Sequence, residues 1–168
     1  MISKKYFLPA LVCGFGAAVL TTVPGIKSLA CCLVIPAAGL IAVLLHQKIN
    51  EITVPPGLKE VIIIGLYCGM VAAVFSTFFD LMLTFISHTN DFVESLPQTQ
   101  ALLKQYNMST IFQQTFSLLK SMAAEIKESG FSFLYAFAIL FSNLIVDSVF
   151  GIIGSIIGLT FIRRKSVN

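Results

Sequence analysis

The run from Leu58 to Ser87 carries no charged residue except Lys59, Glu60 and Asp80, and the first two stand at its very start. A stretch this long and apolar folds either at the centre of a large soluble protein or across a bilayer, whose hydrocarbon core takes about 20 residues of helix. A chain of 168 residues with 57% hydrophobic and 11% charged residues lacks the polar surface to wrap such a core, because soluble domains average about 25% charged residues. The solvent is therefore mainly lipid. Four segments are long and apolar enough to insert: Tyr6 to Val23, Ser28 to His46, Leu58 to Ser87 and Phe131 to Ile162.

Residues 11–23, LVCGFGAAVLTTV, reappear at 66–78 as LYCGMVAAVFSTF, identical at seven of thirteen positions with a constant offset of 55. A fainter echo links AAGLIAVLLHQK (Ala37 to Lys48) with IIGLTFIRRK (Ile156 to Lys165), around Gly39 and Gly158. The expected fold is all-α: a polytopic membrane protein with four transmembrane helices as two tandem parallel hairpin repeats. The whole chain, 1–168, reads as one membrane domain. Its first repeat unit is 1–50, a polar link broken by Pro55-Pro56-Gly57 covers 47–57, and the second unit is 58–168. Pro24-Gly25 makes the turn of the first hairpin, and Pro36 is expected to kink the second span.

Charge sets the orientation. With alternating spans, Lys4, Lys5, Lys48, Lys59, Arg163, Arg164 and Lys165 share one side. The other side has Lys27, and then Lys104, Lys120 and Lys127 diluted by Asp91, Glu94, Glu125 and Glu128. Both termini are expected in the cytoplasm. The net charge of +3 is distributed over these faces rather than gathered in one patch, so nucleic acid is not an expected partner. The opening MISKKYFLPALVCGFGAAVL imitates a signal peptide but lacks the small-x-small cleavage context, and retention as a helix is expected. Val12 stands where a lipobox before Cys13 needs a small residue.

Residues 89–130 are too many for a turn and should form an extracytoplasmic amphipathic helical cap. Ser109 or Thr110 can cap a helix, with Gln113 in capping-box position, and Phe112, Phe116, Leu119, Ala123 and Ile126 then recur on one face. A shorter helix from Pro97 to Tyr106, with Leu102, Leu103 and Tyr106 as its apolar side, is expected before it. These faces either pack over the bundle and the interface or dock a partner.

Helical rise places Asp80 and Asn143 at similar depth and Asp147 one turn deeper, on the face of Asn143. Asp80, Asn143 and Asp147 are therefore the candidate intramembrane polar site. An acid at a helix centre costs about 2.5 to 3.5 kcal/mol on insertion scales, which makes it either a proton or cation site or a hydrogen-bonded strut fixing helix register. Small residues mark close-packing faces: Gly14 with Ala18, Gly65 with Gly69, and Gly151, Gly154 and Gly158. Within-chain packing and homodimerisation both use such faces.

Cys13, Cys31, Cys32 and Cys68 show no CxxC spacing, and His46 and His88 fall at opposite membrane faces. No metal site, cofactor or catalytic group is expected. Cys13 and Cys68 occupy the same repeat position and read as small hydrophobes. A lipid-modifying activity would have to use His88, and no cluster supports one.

Three stretches, GLKEVIIIGLYCGMVAAVFS, NDFVESL and GIIGSIIGLTFIRRK, resemble a family of small bacterial four-helix membrane proteins known as domain of unknown function 4199. The resemblance covers Leu58 to Lys165 and, more loosely, the first hairpin. It implies a multi-pass protein of the bacterial inner membrane and transfers no activity. Taken together, the expectations are a non-enzymatic accessory or scaffold protein that binds a membrane-protein partner or itself, or alternatively a small transporter or channel subunit built on Asp147.

Overall fold

The computed structural model describes residues 4–23, 25–51, 54–105 and 110–167. Pro24, Ile52, Thr53, Tyr106 and Ser109 lie outside these, as do the side chains of Lys4, Cys31, Leu102, Leu103, Lys104, Phe112, Gln113 and Lys165. The described secondary structure is entirely helical: α1 (Lys4–Thr21), α2 (Ile35–Ile49), α3 (Leu58–Ser87), α4 (Asp91–Gln105), α5 (Thr110–Ser129) and α6 (Phe133–Val167). Among the described residues, three stretches are long and apolar enough to cross a membrane, namely Cys32–Ile49, Leu58–Ser87 and Phe133–Arg164. The apolar helix Lys5–Thr21 of α1 is one residue shorter than the shortest of these. Contacts divide the chain into two units, one gathering the described residues of Met1–Phe79 and Leu140–Asn168, the other Asp80–Ile139.

The first unit holds α1, α2 and the larger parts of α3 and α6. Its helix ends follow from local chemistry. The hydroxyls of Thr21 and Thr22 donate to the carbonyls of Ala18 and Val19, back-bonding that competes with continued helix, and Gly25 at φ +91° then turns the chain. A 3₁₀ turn (Lys27–Leu29) and a π-helical turn (Ala30–Val34) precede α2. Pro36 stands in the first turn of α2, directly after the π-helical turn, where a missing N–H is tolerated. Glu60 accepts a hydrogen bond from the Gly57 amide at 3.3 Å, the carboxylate half of a capping box that opens α3.

Packing here is backbone against backbone. A Cβ on Gly151 would stand 2.5 Å from the Gly65 carbonyl oxygen, and one on Gly65 would stand 2.6 Å from that of Gly151. Likewise a Cβ on Gly69 would strike the Asp147 carbonyl, one on Gly39 the Gly151 carbonyl, and one on Gly154 the Pro36 carbonyl. On Gly158 it would meet Leu40 at 3.1 Å, and on Gly14 the Cys68 carbonyl at 2.6 Å. Small residues allow this approach, and dispersion between closely packed helices replaces the hydrophobic drive that lipid removes. Ala10, Ala17, Ala38, Ala42, Val43, Val61, Ile64, Cys68, Ala72, Leu159 and Ile162 complete the core, with Ala18 also fully buried.

The second unit holds α4, α5 and the adjoining ends of α3 and α6. Asn90 caps α4, its Oδ1 accepting from the Val93 amide at 2.9 Å, while its Nδ2 donates to the Thr84 hydroxyl. The helix therefore begins six residues before Pro97, the start its sequence suggests, because a side-chain cap is a stronger start signal than proline alone. Gly130 closes α5 at φ +74°, and a Cβ there would lie 2.7 Å from the Phe85 carbonyl oxygen, so conformation and space both require glycine. Val93, Ala123 and Ile126 form the core, with Phe92, Leu96 and Tyr135 against them. The C-terminal part of the apolar face of α5, Met122, Ala123 and Ile126, is thus buried, while Phe116 and Leu119 stay half-exposed.

Candidate functional site

α6 carries Asn143 and Asp147 four residues apart, hence on one face. Asn143 reaches α3, its Nδ2 donating to the Thr77 hydroxyl at 3.0 Å, and Thr77 is buried. The sequence points to Asp80 as the α3 member of this cluster. Asp80 belongs to the second unit, where its carbonyl accepts from Thr84 Oγ1 at 2.7 Å, and Thr77, three residues earlier, takes the Asn143 amide. A hydroxyl costs little to desolvate, which suits it as the partner of an amide between two apolar helices.

Asp147 is only 6% exposed. Its own carbonyl lies where Gly69 admits α6. Cys68 on α3 is buried in the core of the first unit, and Cys13 on α1 packs against that core. Cys13 and Cys68 are both free thiols.

A second polar group ties three helix ends together, and sequence reasoning missed it. His46, 1% exposed, places Nδ1 3.0 Å from the Lys5 carbonyl oxygen. A carbonyl only accepts, so Nδ1 carries the proton. Asn50 Nδ2, although 3.1 Å from that nitrogen, therefore donates to the His46 carbonyl at 2.9 Å. The Tyr6 ring lies over the imidazole, centroids 5.1 Å apart, and its hydroxyl donates to Glu60 Oε1 at 3.1 Å. The signal was legible in part, since charge places Lys5, Lys48 and Lys59 at one membrane face and Tyr6, His46 and Glu60 are their sequence neighbours.

Among the described residues no group of three or more His, Cys, Asp and Glu side chains is placed to hold a metal ion. The Gly14, Ala18, Gly65, Gly69, Gly151, Gly154 and Gly158 positions lie on packing surfaces inside the first unit. Compared with known proteins, the chain matches no family model, no curated protein and no solved structure. The resemblance to domain of unknown function 4199 therefore rests on sequence pattern alone.

Proposed function

We propose that this protein is a multi-pass protein of the bacterial cytoplasmic membrane, with four spans in two parallel hairpins and both termini cytoplasmic, and that it serves as a non-enzymatic accessory subunit for a larger membrane protein. One observation carries the reading. The small-residue faces are already occupied within the chain, while a row on α6, Phe141, Ile145, Val149, Ile153, Ile157 and Phe161, stays between 42% and 58% exposed. In a bilayer such a row meets lipid or another helix, and a long, uninterrupted apolar ridge suits helix-to-helix association.

Native mass spectrometry after gentle extraction from the source membrane tests this. Recovery in fixed ratio with a larger membrane protein is the expected result, and substitution of Ile145 and Ile153 by bulky Trp should lower that ratio. Recovery only as a lone monomer or homo-oligomer overturns it. A second reading, a small transporter subunit, is favoured by the near-complete burial of Asp147 inside a candidate span. Intramembrane acids serve proton and cation paths. Proton or cation flux into reconstituted vesicles that is unchanged by Asp147→Asn and Asp147→Ala removes it.

A further inference from the structure

The glycines of α2, α3 and α6 touch neighbouring backbone, whereas Gly16 on α1 has nothing within 4 Å of where a Cβ would stand. The open space is a groove of about 500 Å³ lined by Val12, Cys13, Gly16, Ala17 and Leu20 from α1, and by Leu33, Val34, Ala37, Ala38 and Ile41 from the π-helical turn and α2. Both rows follow helical spacing and face each other. The floor, Ala17 and Ala38, is buried, and the rims, Val12, Gly16 and Leu20 on one side and Leu33, Ala37 and Ile41 on the other, are exposed. The slot therefore opens sideways, along the candidate span Cys32–Ile49.

Its dimensions select the occupant. Val12 to Leu20 rises about 12 Å at 1.5 Å per residue, so the groove has a mean cross-section of about 40 Å², roughly half that of a helix about 10 Å across. It is too narrow for a second helix and wide enough for a hydrocarbon chain. Water gains nothing there, because the walls offer almost no polar atom to bind it. The connection from 22 to 29, which joins the two walls, carries one cation, Lys27, whose side chain is exposed. We propose that the groove between α1 and α2 holds one acyl chain of an anionic phospholipid, with the phosphate at the Lys27 end.

The π-helical turn fits this role. Its wider spacing and the 3₁₀ turn before it re-aim Leu33 and Val34 relative to a regular helix, and such insertions recur where a helix must present a binding wall. The site rests on the membrane-embedded reading and on nothing about partners or transport.

The test uses the full chain in vesicles of phosphatidylethanolamine and phosphatidylglycerol, with a trace of phosphatidylglycerol bearing a diazirine on its acyl chain. After irradiation, adducts should concentrate on Val12–Leu20 and Leu33–Ile41. Gly16→Leu fills the slot without meeting backbone and should reduce those adducts by at least about five-fold, as expected when a preformed apolar pocket is blocked. Ala37→Leu, from the opposite wall, should do the same, and Val74→Leu on the exposed side of α3 should leave them unchanged. Replacing phosphatidylglycerol by phosphatidylcholine as label carrier, or introducing Lys27→Gln, should weaken labelling. Equal labelling with either carrier overturns the anionic-lipid assignment. Adducts confined to α3 and α6, or indifferent to both groove substitutions, overturn the groove while leaving the membrane reading intact. No adducts on any helix overturn both.

Discussion

At the scale of single residues, the firmest polar contacts lie where helix ends meet. His46 joins α2 to the first turn of α1 through the Lys5 carbonyl, and Tyr6 joins α1 to the first turn of α3 through Glu60. A buried hydrogen bond contributes about 0.5 to 1.5 kcal/mol, and leaving its partner unsatisfied costs about 1 to 3. His46→Ala removes a buried ring, its hydrogen bond and the stack with Tyr6, and should therefore destabilise by about 2 to 4 kcal/mol, taking core truncation into account. Tyr6→Phe keeps the ring and should cost only about 1 kcal/mol. Thermal unfolding in detergent micelles measures both; equal effects would show that the hydroxyl, not the imidazole, holds the three ends together. Sequence alone pointed to Asp147 because an acid among apolar residues announces itself. It did not announce His46, whose importance depends on Lys5 and Glu60 arriving from other helices.

At the scale of helices, the glycines give a graded test, because each faces a different neighbour. A Cβ on Gly151 would collide with the backbone of α3 at Gly65 and Gly69, one on Gly158 would press on Leu40 at 3.1 Å, and one on Gly16 would meet nothing. Overpacking against rigid backbone costs about 1 to 3 kcal/mol, whereas Gly to Ala in an open helix position gains up to about 1 kcal/mol. Gly151→Ala should therefore be destabilised, Gly158→Ala nearly neutral, and Gly16→Ala equal to or above the parent in thermal midpoint. Any other order contradicts backbone contact as the basis of this bundle. The sequence marked these positions as close-packing but not their partners: that Gly39 lies against Gly151, or Gly154 against Pro36, is a matter of register between helices. The bounds of α3 were readable, since a polar link and a capping Glu60 define one end and apolar continuity the rest. The start of α4 was not, because Pro97 is conspicuous and the Asn90 cap is a single polar residue among several.

For the whole molecule, orientation follows from which helix ends cluster. Lys5 stands in the first turn of α1, Lys48 in the last turn of α2 and Lys59 in the first turn of α3, and the His46 and Tyr6 hydrogen bonds bring those three ends together. Arg163 and Arg164 extend the same end of the first unit, because Gly154 lies against Pro36 and Gly158 against Leu40, so α6 runs beside α2 toward its Lys48 end. The antiparallel course of α1 beside α2 thus carries the start of α1 back to the basic end whether or not its 18 residues cross the full bilayer. In the topology proposed above, the excess of Lys and Arg places this basic end in the cytoplasm. Tags at either terminus should accordingly be cleaved by protease only after the cells are opened. In a variant whose native cysteines are replaced by alanine, Ser117→Cys on the exposed surface of α5 should react in intact cells with a thiol reagent that cannot cross the membrane. Cleavage of either terminal tag from outside, or protection of the Ser117→Cys thiol until lysis, would reverse the orientation and with it the side from which any partner or substrate must approach.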